Sequence, residues 1–422
     1  MTASGARRRN RKSRESEVSR DRDPPSYFLS VDWSKCAGKR SVYLSDVRRR
    51  RIERHDPPEA GWNLEALLDL ADGLSRDGSV LIGMDVVLGV PKGYWQSVPD
   101  DRRRGAPKDF VDWLSSRGQF AGFFETVADP ADWGVNRPWF EVRKGAGGLT
   151  AFTNKVRGGM RRRIDAATGG NPVFAVSGMP GTVGSGTRDF WRELSPHLSL
   201  DRRFKIWPFE GEIDALLEDR GVALCEIHPA LAYAAALADD LPTGRIKVTK
   251  GDVRCRKHAC NCLGRADWVH RHRVDLGSFH AAKANDDDFD AHFTAAAVLR
   301  CVLEGVALVD IAWTDATVEG SMLLAGPVEP NRKNGGSQSP LRRMAGRAAR
   351  WGSSASSAIS RSQRGNDHRC PIPGCRKVFR DSRRGWDGHV GSPRMHPEWH
   401  PEVRRAKERR RLFRAEFGDW FE

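Results

Sequence analysis

The chain is 422 residues long, with 70 Lys/Arg against 55 Asp/Glu, a net charge of +15 and 39% apolar residues. That length exceeds one ordinary core, and no apolar run approaches the roughly 18 residues that a membrane helix needs. Its eight cysteines, thinly spread, exclude a disulfide-dense secreted scaffold and leave thiols for metal binding or burial.

The charge is concentrated at the ends: residues 331–422 carry +13 and residues 1–25 carry +4, so the residues between sum to −2. Basic arms around a near-neutral centre point to a polyanion partner, nucleic acid first and DNA ahead of RNA. Solubility alone is the plainer explanation of the same arms. Residues 1–25 read as a disordered basic tail. No apolar segment follows their arginines, so a secretory leader is not expected and a cytoplasmic location, away from membranes, is.

Organised sequence begins at "YFLSVDWS", where a short buried-strand pattern ends at Asp32. "SVYLSDV" and "RRRIERHD" give two further strands across polar turn residues. Leu64, Leu67, Leu68, Ala71 and Leu74 follow at helical spacing, closed by "SRDG". "SVLIGMDVVLGVP" is then an apolar strand interrupted by Asp85. Residues 92–170, rich in Trp, Phe, Gly and Arg, break the pattern and read as an insertion or lid. Strand signals resume at "NPVFAVSG", "FKIWPFEG" and "VALCEIHP", and helices at "ALAYAAALADDL" and "DDDFDAHFTAAAVLRCVL". Alternating strands and helices imply an α/β fold, a mixed sheet flanked by helices, over residues 26–330. Residues 331–368 are a Gly/Ser/Arg-rich linker, and residues 369–422 hold a small cysteine- and histidine-bearing module followed by a basic helix.

Asp32 and Asp85 are isolated acids among apolar strand residues. Burying a lone carboxylate costs several kcal/mol unless it is paired or bound to a metal. The four aspartates of "DDDFD" open a helix, and Asp287 and Asp290 share one of its faces. In the expected arrangement Phe289, Phe293, Ala296, Leu299 and Leu303 form the stripe buried against the sheet, and Asp286 and Asp288 act as caps. Helix capping accounts for one or two such acids; four repel one another without a cation. Together these acids suit a hard-cation site for Mg²⁺ or Mn²⁺.

Five blocks, "VDWS…SVYLSDV", "GMDVVLGVP", "CEIHPALAY", "KVTKGDVRCR" and "DDDFDAHFTAAA", stand in the order found in predicted RNase H-like nucleases, a bacterial family related to RuvC-like resolvases. The chain resembles that family over residues 26–310, with a long insertion. The resemblance implies an RNase H-like fold and a metal-dependent nuclease that hydrolyses phosphodiester bonds with two metal ions. It places one acid at the end of the first strand (Asp32), one on the fourth strand (Asp85), and a D-x-x-D-A pattern at the last helix (Asp287, Asp290). Glu226 is a further family-like acid, with an exposed strand-end carboxylate as its alternative. Lys250, Arg254 and Arg256 fall where the family carries basic residues for the scissile phosphate; a solvated basic loop is the alternative. An inactive RNase H-like scaffold that only binds nucleic acid would share these features, and nucleotide chemistry is a third option. "CRKHACNC" allows either a second zinc site on Cys255, Cys260 and Cys262 or simple packing of these thiols.

"CPIPGCRKVFRDSRRGWDGHVGSPRMH" is C-x4-C-x13-H-x6-H, which suits tetrahedral Zn²⁺ on Cys370, Cys375, His389 and His396, with His400 a rival fourth ligand. It resembles a C2H2 finger of ββα type, with Arg380, Arg383 and Arg384 available for phosphates or guanines. Protein docking is the alternative role. A module this small folds on its metal. The double substitution Cys370→Ser/Cys375→Ser is therefore expected to strip zinc from the purified protein; elemental analysis showing unchanged zinc would rule out this ligand set.

Overall fold

The computed structural model describes residues 24–98, 106–118, 120, 122–142, 161–177, 183–198 and 202–329, together with 367–369, 378–380, 408, 409 and 412. The chain divides into two compact units, Met1–Arg342 and Arg343–Glu422.

In the first unit, strands β1 (Tyr27–Asp32), β2 (Ser41–Asp46) and β3 (Arg51–His55) form an antiparallel meander, followed by helix α1 (Leu64–Ser75) and strand β4 (Val80–Met84). Much further along come β8 (Lys205–Ile206) and β9 (Val222–Glu226), and the sheet runs β3-β2-β1-β4-β9-β8. β1, β4, β9 and β8 are parallel, so the sheet is mixed. Both of its faces are covered, which is why β1 and β4 read as near-continuous apolar runs. Leu29 and Val31 face the core that holds Leu64, Leu67 and Leu68 of α1. Phe28 faces the opposite core, shared with α5 (Pro229–Leu237) and α7 (Asp286–Leu303). No helix among the described residues is long and apolar enough to cross a membrane.

The region between β4 and β8 builds its own small parallel sheet, β5 (Thr126–Val127), β6 (Trp139–Glu141) and β7 (Ala175–Val176). α2 (Phe110–Arg117) and α4 (Gly184–Leu194) share its core, while α3 (Arg163–Thr168) sets Ile164 against Met322 and Ala325. The strand expected at "NPVFAVSG" therefore exists, but β7 pairs with β6 rather than with the main sheet, so the insertion extends beyond residue 170. Aromatic edges fill this region: Trp191 meets Trp139 at 5.3 Å and Trp113 at 5.9 Å between ring centroids.

One side chain ties the insertion to the sheet. Arg162, buried, donates to Glu226 at the end of β9 at 2.5 and 2.7 Å and to Asp165 at 2.7 and 3.0 Å, and reaches the carbonyls of Leu88 and Glu319 at 3.0 Å. Burial opposes the charge of this guanidinium, but Asp165 and Glu226 outweigh it and hold its pKa above the ordinary value.

Helix α7 departs from the expected single stripe: every residue from Asp288 to Cys301 is buried. It lies between the sheet and α5, and so is buried almost all round, with Asp288, Asp290, His292, Thr294 and Arg300 among the enclosed residues. Its Arg300 satisfies the last carbonyls of α5, donating to Ala235 at 2.8 Å, Ala238 at 2.6 Å and Asp239 at 3.0 Å. The N-cap is Asn285, whose side chain accepts from the amide of Asp287 at 3.0 Å. Asp288, expected as a cap, instead accepts from Arg54 of β3 at 2.7 Å.

In the second unit, β10 (Asp367–Arg369) and β11 (Val378–Arg380) form an antiparallel ladder with His368 opposite Phe379. Cys370, Cys375, Arg383, Arg384, His389, His396 and His400 lie outside the described residues, as does the side chain of Arg380.

Removing the Arg162 guanidinium leaves two carboxyls buried without their partner. Arg162→Met is expected to destabilise the protein by about 3–5 kcal/mol in denaturant unfolding. The loss should be smaller near about pH 5 than near about pH 8, because protonation relieves an unpaired buried carboxylate. Wild-type stability in this variant would show that the tie contributes nothing.

Candidate metal centre

The register of the parallel strands sets the site. Val31 pairs with Met84 and Met84 with Glu226, so Asp32, Asp85 and Glu226 arrive at one edge, at the carboxyl ends of β1, β4 and β9. That edge is where open α/β sheets place their ligands. Asp32 is the last residue of β1. Asp85 lies one residue past β4, its amide still bonded to the carbonyl of Val31 at 3.0 Å. The expected strand through Val90 stops here because the chain turns away toward Val318, to which Val90 bonds at 2.9 Å.

The first turns of α7 meet the same edge. One carboxylate oxygen each from Asp32, Asp85 and Asp290 lie within 4.8 Å of one another. Asp32 and Asp290 are buried and Asp85 is half-buried. Asp287 is also half-buried, and the charges of Asp290 and Asp287 both act on Asp32 and Asp85.

Crowding and burial push these carboxyls upward. Burial lifts Asp32 well above the usual carboxylate range, with Asp290 and Asp85 adding to it. Burial pushes Asp85 up to about 7 against the pull of Lys250. Asp287 rises to about 6, through burial and then Asp286. Burial also raises Asp290, while Lys250 and Tyr233 oppose it. The Lys250 ammonium pairs with one oxygen of Asp290 and the Tyr233 hydroxyl donates to the other. Burial works against the Lys250 charge, yet Asp290, Asp32 and Asp85 hold its pKa above the ordinary lysine value.

Other predicted residues have different surroundings. Glu226 stands beside Asp85 and raises it, but both of its oxygens are taken: Arg162 holds the two, and the Leu88 amide donates to one at 2.7 Å. Burial pushes its carboxyl up to about 7 against the pull of Arg162. It is thus a buried, paired acid rather than an exposed strand end. Arg256 is buried and bonds the carbonyls of Ala284 at 2.8 Å, Lys283 at 3.3 Å and Lys250. Its fork fixes the backbone of Lys250 and is not presented to solvent. Arg254 is exposed at the start of helix α6 (Val253–Leu263). His228 is lowered to about 4 by burial and then by Arg245, and is neutral near neutral pH. On α6, Cys260 is buried while Cys262 is exposed, 3.5 Å from His258. Among the described residues these thiols join no cluster of three or more potential ligands; the three aspartates do. Residue type and spacing gave neither Tyr233 nor Arg162 a role, although Tyr233 ends the block "CEIHPALAY". Tyr233 sits in an alanine-rich helix, and Arg162 in a region without periodicity.

The donor set suits a hard divalent ion: all oxygen, all acidic, and desolvated. Comparison with protein-family models, curated proteins and solved structures finds no match to this chain.

Without metal, the raised Asp85 carboxyl keeps a proton that the unfolded chain has already released. Between the ordinary 3.8 and about 7 the native state then binds more protons, so stability is expected to fall as pH rises through that window. Asp85→Asn should flatten this slope, and added Mn²⁺ should raise the melting temperature of the wild type most at the upper end. A pH profile identical in the wild type and the variant would contradict the assignment.

Proposed function

We propose that this chain is a metal-dependent nuclease of RNase H-like architecture, hydrolysing phosphodiester bonds of DNA or RNA. One observation carries the reading: oxygens of Asp32, Asp85 and Asp290 converge within 4.8 Å from three distant points of the sequence. The positions support the family resemblance acid by acid, at the end of the first strand, just past the fourth, and at the start of the last long helix.

Asp32, Asp85 and Asp290 would hold Mg²⁺ or Mn²⁺, with Asp287 at the mouth for the second ion of a pair. Such ions supply Lewis-acid stabilisation of phosphoryl oxygens and lower the pKa of water. The protein's own groups prepare the place. Tyr233 and Lys250 fix the two oxygens of Asp290, and Arg256 fixes the backbone of Lys250. Exposed Arg254 is available to a substrate phosphate. Glu226, clamped by Arg162 and by the Leu88 amide, ties the chain after β4 to the end of β9 and contributes negative potential at Asp85. The basic tail of residues 1–25 and the linker arginines add phosphate affinity without sequence preference. Ladder β10–β11 brackets Cys370 and Cys375 in sequence, which supports a zinc-held module as a further nucleic-acid contact.

A second reading has one specific observation in its favour. The Lys250 ammonium already neutralises Asp290, so the acids can persist without an ion, as in an inactive nucleic-acid-binding scaffold. The two readings part in one experiment, with Mg²⁺ or Mn²⁺ and a panel of DNA, RNA, hybrid and branched substrates. Losing one ligand of a catalytic ion forfeits several kcal/mol of transition-state stabilisation, so Asp32→Asn or Asp85→Asn is expected to slow cleavage about a hundredfold or more. Cleavage at the wild-type rate in both variants would remove the catalytic assignment. Tight binding with no cleavage of any substrate would establish the scaffold.

A further inference from the structure

Helix α4 carries different chemistry on its different faces. Toward the sheet, Thr187 accepts from the Val87 amide at 3.1 Å, the Trp191 ring nitrogen donates to the Val87 carbonyl at 2.8 Å, and Phe190 packs edge-on against Trp33 at 5.2 Å. Trp33 and Val87 are the close neighbours of Asp32 and Asp85 in sequence. The fit is tight: a Cβ on Gly186 would lie 2.7 Å from the Trp33 carbonyl, and one on Gly184 would lie 2.1 Å from that of Ala175.

On another face, Arg188 and Arg192 stand one turn apart and line a groove of about 550 Å³ together with Phe120, Phe124, Thr126 and Arg137. Phe120 is 47% exposed, a large side chain left in solvent at the rim. Guanidiniums lie over both rings, Arg117 at 5.2 Å from Phe120 and Arg192 at 5.5 Å from Phe124. Among the described residues Arg137 pairs with Glu125 at 3.1 Å, Arg188 and Arg192 share Asp189 at 3.4 Å, Arg188 also donates to the Thr126 hydroxyl, and Arg117 donates to Asn136 at 2.7 Å with no acidic partner. Arg137, Glu125 and Arg192 are exposed, and pairs made by exposed groups are weak, so a phosphate competes with them for these guanidiniums. Among the described residues the buried Arg188 Nε has no hydrogen-bond partner.

We propose that this groove binds a single strand of nucleic acid, with bases stacked on Phe120 and Phe124 and phosphates held by Arg188 and Arg192. Aromatic platforms interleaved with arginine are the means by which proteins hold single strands without sequence preference. A duplex keeps its bases stacked inside and offers nothing to the two rings. The inference rests on the nucleic-acid reading above and adds to it a substrate form and a place. Through α4, a strand in the groove is anchored one helix away from Asp32 and Asp85.

The full-length protein is titrated in EDTA against a fluorescent single-stranded oligonucleotide of about a dozen residues, with the matching duplex alongside. Phe120→Ala is expected to weaken single-strand binding about tenfold. Arg192→Glu should weaken it similarly and reduce the salt slope by about one. Both side chains are solvent-facing, and melting curves confirm folding. Asp32→Asn should bind like the wild type, which separates this groove from the acidic site. Wild-type affinity in both groove variants, or equal loss on the duplex, would overturn the groove. Loss of cleavage in Asp32→Asn with unaltered binding in the groove variants would refute the groove alone and leave the nuclease reading standing.

Discussion

Mutual repulsion among buried carboxylates is the condition on which the rest of this molecule turns. Two unit charges about 4 Å apart interact by about 4 kcal/mol even at an effective dielectric of 20. Asp32, Asp85 and Asp290 are held at that scale, and two of them are buried. A fold left to relax would separate them. Here strand register brings two of the acids together and a helix sealed on all sides brings the third, while Lys250 and Tyr233 meet part of the charge from the protein side. The scaffold thus stores unfavourable electrostatics at one sheet edge, as sites that must grip a cation do.

Positioning falls to arginines that never face solvent. Arg300 closes the end of α5, Arg256 closes the short helix His280–Ala284 and holds the Lys250 backbone, and Arg162 couples the insertion to β9. Each satisfies carbonyls or carboxylates that would otherwise be orphaned. Their planar forks suit that work better than lysine's point charge. The charge of these three arginines is thus spent on structure, while Lys250 meets the acid of the site directly.

Asp32 and Asp85 were legible because an acid inside an apolar run demands an explanation, and Asp287 and Asp290 because four acids at one helix end are more than capping requires. The three N-terminal strands, α1 and β4 followed from apolar patterning in chain order. Three things did not. β7 shows a strand pattern, but two residues of pairing carry no information about which sheet they join. The partner of Glu226 sits 64 residues upstream in a region without period, so a buried clamp and an exposed strand end looked alike. Arg256 matched a phosphate-binding position by residue type, whereas direction decides its role, and direction is set by the carbonyls of Lys250, Lys283 and Ala284.

The insertion between β4 and β8 has a bearing on how the chain is made. Leu88 and Glu226 are hydrogen-bonded yet 138 residues apart in sequence. Entropy tolerates this, since each doubling of a closed loop adds only about 0.6 kcal/mol, and the insertion has a sheet of its own. Synthesis is less forgiving. One edge of β4, apolar throughout, has no strand to pair with until β9 leaves the ribosome many seconds later. During that interval the nascent α/β layer is a half-sheet with an open side.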